Sequence, residues 1–203
     1  MSCYAAQHHN DTVPLCLLDT MGKILERIIY YWLLPIVEEK GALSQQQFGF
    51  RRSRSTTDAV KTVVDIALNA ISGERWKGGK KEYCAVITLD VRNAFNSANW
   101  QHIKDALARM NAPKYIMELI DSYLTNRKLI YRSENGTEQY NITAGVPQGS
   151  VLGPLLWNIM YDEVLRLPLP PGVRIIGFAD DIAVVTVAKH IPEVEAVSNM
   201  AIT

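Results

Sequence analysis

An excess of either charge is missing from this chain, since 21 Lys and Arg balance 21 Asp and Glu over 203 residues. That balance excludes a histone-like cation and an acidic tail. Cysteine is scarce: Cys3, Cys16 and Cys84 are odd in number and widely spaced, which argues against a disulfide framework or a Cys-based zinc site and suits a reducing compartment. Long apolar runs are lacking too. The longest, from Ile28 to Val37, has ten residues and includes Pro35, against the roughly 20 a spanning helix needs. The first 13 residues have no cationic start leading into an apolar stretch, so no secretory signal is expected. His8 and His9 lack further ligands nearby and read as tail residues. There is no internal repeat and no low-complexity tract.

What is present fits a folded domain, with 48% apolar and 21% charged residues and room for one compact domain or two small ones. From Met21, the positions Ile24, Leu25, Ile28, Ile29, Trp32, Leu33 and Ile36 follow helical spacing, with Asp19 as N-cap, Gly41 as stop and a kink or early end at Pro35. Ser55-x-x-Asp58 predicts a capping box before the stripe Val60, Val63, Val64, Ala67 and Ile71. The Gly-rich, basic stretch 73–81 predicts an exposed loop. Tyr83 to Leu89 then predicts a short buried strand ending at Asp90. Helices follow around Trp100, Ile103, Leu107 and Met110, and around Ile116 to Tyr123. A β-hairpin over 129–140 is centred on Asn135-Gly136. The Pro147-Gln148-Gly149 turn opens onto a helix over 151–165, two short strands flank Asp180-Asp181, and a helix over 192–200 comes last.

The chemistry concentrates in a strand ending at Asp90 and an apolar hairpin tipped by Phe178-Ala179-Asp180-Asp181. Asp is depleted in strands and costly to bury unpaired, so adjacent Asp residues between Ile175-Ile176 and Ile182 to Val185 call for a compensating partner. A bound cation is the economical one. Mg²⁺ takes few carboxylates and leaves its other positions to water and phosphates, which suits three Asp. The plain alternative is a solvated turn for Asp180-Asp181 and a helix N-cap for Asp90.

Five blocks in order resemble the reverse transcriptase of non-LTR (LINE-type) retrotransposons. They are Pro14 to Lys23, Gln47-Phe48-Gly49-Phe50-Arg51 running to Ser55-Thr56, Leu89-Asp90-Val91-Arg92-Asn93-Ala94-Phe95, Gly145 to Pro154, and Phe178-Ala179-Asp180-Asp181. The resemblance implies an α+β fold, a right-hand polymerase palm with partial fingers and no thumb. The expected division is a leader over 1–13, unrelated or disordered, partial fingers over 14–82, and a palm over 83–203 that stops before its last strand.

By the same resemblance Asp90, Asp180 and Asp181 are the catalytic, metal-holding carboxylates for two Mg²⁺ ions, or Mn²⁺, with Asp90 and Asp180 as the more direct ligands. Phe95 lies where the family places an aromatic under the nucleotide sugar, so its bulk implies deoxynucleotide selection; ordinary core packing is the alternative. Gln148 and Gly149 are implied against the nascent base pair and template, where Gly permits close approach and the Gln amide both donates and accepts. Arg51, Arg52 and Arg54 suit nucleic-acid phosphates. The implied partners are an RNA template, a DNA primer and a dNTP, with no membrane. The thumb and endonuclease would come from a parent polyprotein, and the site of action is intracellular, in the nucleus.

Two departures stand beside these expectations: Val13 occupies the place where the family carries an Arg before Pro14, and Met1 to Thr12 match no family block. They keep open a non-catalytic retrotransposon remnant that at most binds nucleic acid. They also suggest that the 203 residues alone are inactive. A nucleotide cyclase on a similar palm is a weaker rival, since it does not require the Pro147-Gln148-Gly149 turn.

Overall fold

Local signals in the sequence fix most of the element ends in the computed structural model, which describes residues 2–4, 19–39, 41–72, 81–133 and 136–202. The elements run β1 (Ser2–Tyr4), α1 (Thr20–Glu38), α2 (Thr56–Ile71), β2 (Tyr83–Asp90), α3 (Ala94–Ser97), α4 (Trp100–Arg109) and α5 (Lys114–Leu124). They continue with β3 (Lys128–Ser133), β4 (Gly136–Asn141), α6 (Gly153–Tyr161), a 3₁₀ turn (Val164–Arg166), β5 (Val173–Phe178), β6 (Asp181–Ala188) and α7 (Ile191–Ile202). This is a mixed α/β arrangement. Two compact units are interleaved along the chain: one comprises 1–43 and 92–163, the other 44–91 and 164–203.

In the first unit, the Asp19 carboxylate accepts the Gly22 N–H at 2.6 Å and starts α1. Pro35 lies inside the helix and does not end it. The buried face of α1 carries Glu26, Ile29, Leu33, Leu34 and Val37, whereas Ile24, Leu25, Ile28 and Trp32 of the expected stripe are exposed. Asn99 caps α4, which packs on α5 and α6 through buried Ile103 and Leu107. Strands β3 and β4 form the expected hairpin, but its closing pair is Ser133 with Gly136. Gly136 of the expected Asn135-Gly136 centre thus opens β4, and residues 134–135 lie outside the described residues. Strand β1 runs parallel to β3, so part of the stretch expected as a leader belongs to a sheet.

The second unit is built on the antiparallel sheet β2-β6-β5. Ser55 and Asp58 form the expected capping box: Asp58 Oδ2 accepts the Ser55 N–H at 2.9 Å, and Ser55 Oγ accepts the Asp58 N–H at 3.2 Å. The Ser55 hydrogen bonds hold the Asp58 carboxyl below its ordinary value. Helix α2 packs through Ala59, Val63 and Ile66 onto Phe48, Cys84, Ile176, Phe178, Ala183 and Val185, while Val60, Val64 and Ile71 of the expected stripe are exposed. Burial pushes the Cys84 thiol up.

Helix α7 packs on the other face, where Ser198 Oγ donates to Thr186 Oγ1 at 3.0 Å. Side chains alternate across a strand, so β6 is covered on both sides and is mostly buried. The expected buried strand at Tyr83 to Leu89 is instead an edge, β2, and its residues are half-buried or exposed. Its apolar run resembles that of a central strand, but position in the sheet decides burial.

Candidate active site

The β5–β6 hairpin brings the acidic residues of the second unit to one end of the sheet. Phe178 pairs with Asp181, leaving Ala179-Asp180 as a two-residue loop. Ala179 has φ 58°, the positive first loop position that a type II′ turn usually gives to glycine. Across the sheet, Asp90 pairs directly with Asp181. Alternation places both carboxylates on the α2 face, with Phe178 beside them. Directly opposed side chains have Cβ atoms about 4.5–5.5 Å apart, within reach of a shared ion.

Asp90 and Asp181 are exposed and Asp180 is half-buried. The three side chains make no hydrogen bond or ion pair with a described residue. Among the described residues no group of three or more His, Cys, Asp or Glu is gathered in metal-holding geometry. Two facing carboxylates that make no ion pair among the described residues nevertheless fit a divalent ion that completes its shell with water and phosphate.

The segment before α2 is tied to the same hairpin. Gln47 bridges to Gly177 in parallel, the Phe48 N–H donates to Gly177 O at 2.8 Å, and the Gly177 N–H donates to Gln46 O at 2.9 Å. The cations expected to meet phosphate largely serve this segment. Arg51 Nη1 donates to Ser44 O at 2.7 Å. Arg54 donates to Gln45 O at 2.5 Å and to the Gln45 side chain, with its guanidinium 5.0 Å from the Phe48 ring centre. Arg52 is exposed.

In the first unit, Phe95 sits on α3 and stacks on buried Trp157 at 5.6 Å and 17°, and Trp157 stacks in turn on Tyr161 at 5.3 Å and 24°. The Phe95 carbonyl accepts the Val146 N–H at 2.7 Å, which anchors the segment leading into Pro147-Gln148-Gly149. Gly145 is needed there: its φ is +90° and a Cβ would lie 2.7 Å from Asn96 O. The turn closes through Ser150, whose hydroxyl donates to Pro147 O at 2.8 Å and accepts the Gly153 N–H at 2.8 Å. Gly149 has φ +87°. Gln148 Oε1 is buried without a hydrogen-bond partner among the described residues. It lines a cavity of about 240 Å³ with Asn96, Arg127, Tyr140 and Ile142.

Glu26 is a site residue that the sequence reading missed. It is fully buried, and its carboxylate accepts the Tyr123 hydroxyl at 2.5 Å and the Val151 N–H at 2.7 Å, so it holds the residue just after the Gln148 turn. Burial, and then the Glu26 charge, push the Tyr123 phenol far above its ordinary value. Arg127 lies 5.9 Å from the Tyr123 ring centre, and burial pulls its guanidinium down. The available signal was spacing: Glu26 falls in register with Ile29, Leu33 and Val37 on one helical stripe.

Residues 8–201 match the family model described as reverse transcriptase (RNA-dependent DNA polymerase). The chain belongs to that family. The match begins inside the stretch expected as an unrelated leader. This reverse transcriptase domain is homologous to those of non-LTR retrotransposons. It is 33% identical over 178 residues to a probable RNA-directed DNA polymerase from transposon X-element of Drosophila melanogaster, covering 84% of this chain and 18% of that protein. To the RNA-directed DNA polymerase from mobile element jockey of Drosophila funebris it is 34% identical over 186 residues, covering 89% of this chain and 19% of the relative. The domain thus spans about a fifth of the length of these relatives.

Its fold is similar to that of a Candida tropicalis apo telomerase truncated from its C-terminal domain, with TM-score 0.62, 12% identity, and coverage of 88% of this chain and 36% of that one. A Candida albicans telomerase in complex with a telomeric RNA fragment gives TM-score 0.60 at 12% identity, covering 88% and 30%. Within the reverse transcriptase domain, Val13, His8, His9, Lys77 and Lys80 lie outside the described residues, as does the first family block up to Leu18. No described helix is long and apolar enough to cross a membrane.

Proposed function

We propose that this domain carries out RNA-directed DNA synthesis: transfer of a deoxynucleotidyl group from a dNTP to the 3′-end of a DNA primer, directed by an RNA template. It acts within a longer polyprotein that supplies the thumb and an endonuclease, at chromosomal DNA in the nucleus. The observation that carries the reading is Asp90 facing Asp181 beside the Asp180 tip, with no ionic partner for any of the three among the described residues. Family membership supports the polymerase class.

Asp90, Asp180 and Asp181 would hold two Mg²⁺ ions, with Mn²⁺ as a substitute, and the bound metal would supply Lewis-acid activation of the primer hydroxyl and charge neutralisation for the leaving pyrophosphate. The half-buried Phe95, braced by Trp157, excludes a ribose 2′-hydroxyl. Gln148 offers the nascent pair an acceptor that is unpartnered among the described residues, and Gly149 leaves its backbone approachable. Arg52 contacts phosphate directly, and Arg51 and Arg54 add positive potential while bracing their own loop.

Extension of a DNA primer on an RNA template, by this domain within an assembled polymerase, tests the reading. Extension should require Mg²⁺ or Mn²⁺ and vanish in Asp90→Asn. Template binding with no extension under any metal would instead establish a non-catalytic nucleic-acid-binding remnant.

A further inference from the structure

We infer that the Gln46 to Gly49 segment is a splint that sets the position of the Asp180-Asp181 tip, with Gly49 and Gln47 as positioning residues. Three observations within the second unit carry this. First, the segment is stitched to β5 just below the tip by two backbone hydrogen bonds, Phe48 N–H to Gly177 O at 2.8 Å and Gly177 N–H to Gln46 O at 2.9 Å. Second, Gly49 lies directly against the tip. A Cβ there would fall 2.0 Å from Ala179 N, 2.7 Å from Ala179 Cα and 3.0 Å from Phe178 C. Those are backbone atoms, so no side chain can rotate away, and any residue larger than glycine must displace the loop that carries Asp180.

Third, Gln47 is fully buried, and its Oε1 accepts the Gly49 N–H at 3.3 Å, which fixes the approach of Gly49. The loop held in this way has Ala179 at φ 58°, a conformation unfavourable for a residue with a Cβ. Such a turn persists where its surroundings over-determine it, and Gly49 pressed on its nitrogen is that surrounding. Arg51 and Arg54 brace the far side of the splint through Ser44 and Gln45 carbonyls.

The inference rests on the metal reading of the three carboxylates, and its test reads metal binding directly. Mn²⁺ is titrated into the metal-free 203-residue chain and followed by electron paramagnetic resonance, beside thermal unfolding. Gly49→Ala and the milder Gln47→Leu should each weaken Mn²⁺ binding by roughly 10–100-fold, the usual cost of losing a residue that orients a ligand.

Gly172→Ala is the control. Its Cβ would lie 2.4 Å from Val187 O at the opposite end of the hairpin, where φ is +84°. It should lower the melting temperature yet leave Mn²⁺ affinity within about twofold. Equal weakening by Gly172→Ala, or unchanged affinity in both Gly49→Ala and Gln47→Leu, would overturn the splint while leaving the metal reading intact. Absence of any Mn²⁺ binding that depends on Asp90 would overturn both.

Discussion

Asp90 and Asp181 are register partners across β2 and β6, two carboxylates on one face of the sheet with no basic side chain bonded to either among the described residues. Like charges directly opposite destabilise an antiparallel pair. Without metal, Asp90→Asn should therefore raise stability, by about 0.2–1 kcal/mol, read as a higher urea midpoint in EDTA. In excess Mg²⁺ the order should reverse, because only the parent chain gains binding energy in its folded state. A lower midpoint for Asp90→Asn in EDTA would mean that the two carboxylates do not repel.

That opposition was only half legible in the sequence. A hairpin around Asp180-Asp181 and a strand reaching Asp90 follow from apolar runs and their breaks, and the Asp19 and Ser55 caps follow from local chemistry. Which face of a helix is buried does not. Helix α1 is apolar around much of its circumference, so helical spacing accommodates both the exposed set, Ile24, Leu25, Ile28 and Trp32, and the buried set, Ile29, Leu33 and Val37. Only tertiary packing chooses between them. Helix α2 repeats the ambiguity with Val60 and Val64 against Val63 and Ile66. The contact of Gly49 with Ala179 spans 130 residues of sequence, and no local pattern encodes it.

Phe95 combines packing with a proposed sugar filter. Its ring lies nearly parallel to that of Trp157, so Phe95→Ala removes stacking as well as bulk and should cost stability, about 1–3 kcal/mol for a half-buried ring. If Phe95 also screens the sugar, an active polymerase carrying Phe95→Ala should incorporate ribonucleotides more readily relative to deoxynucleotides. Loss of stability with an unchanged ratio of the two incorporation rates would assign Phe95 to packing alone.

Glu26 links stability to the turn that bears Gln148. In Glu26→Ala the Tyr123 hydroxyl and the Val151 N–H, both part-buried, lose their acceptor, at up to about 1–3 kcal/mol for each group left unpaired. Glu26→Gln retains volume and one acceptor oxygen and should cost clearly less in urea unfolding. The charge also shapes the alkaline limit. Because the folded-state Tyr123 phenol is raised above its ordinary 10.0, its contribution is complete below that pH and is lost as pH rises beyond it. Removing the carboxylate in Glu26→Gln takes away one cause of the shift, so tyrosinate absorbance in the folded variant should begin at lower pH. Identical titration curves would show that burial alone sets the Tyr123 value.

Gln148 presents the opposite balance, a side chain that stability would not select. Its Oε1 is buried without a hydrogen-bond partner among the described residues, on the wall of a cavity shared with Asn96 and Arg127. A buried acceptor left unpaired costs about 1–3 kcal/mol, and replacing it with an apolar group of similar shape removes that cost. Gln148→Leu should accordingly leave the folded domain as stable as the parent or more so, by denaturant unfolding. If the free acceptor serves the nascent base pair, the same change should raise KM for the incoming nucleotide in an active polymerase carrying this domain, with the effect concentrated on nucleotide use and not on folding. A variant that loses stability while keeping its KM would show that Gln148 is a packing residue whose acceptor is satisfied by water. The expected pair of results, stability kept and nucleotide use impaired, would mark Gln148 as retained for chemistry at the expense of the fold.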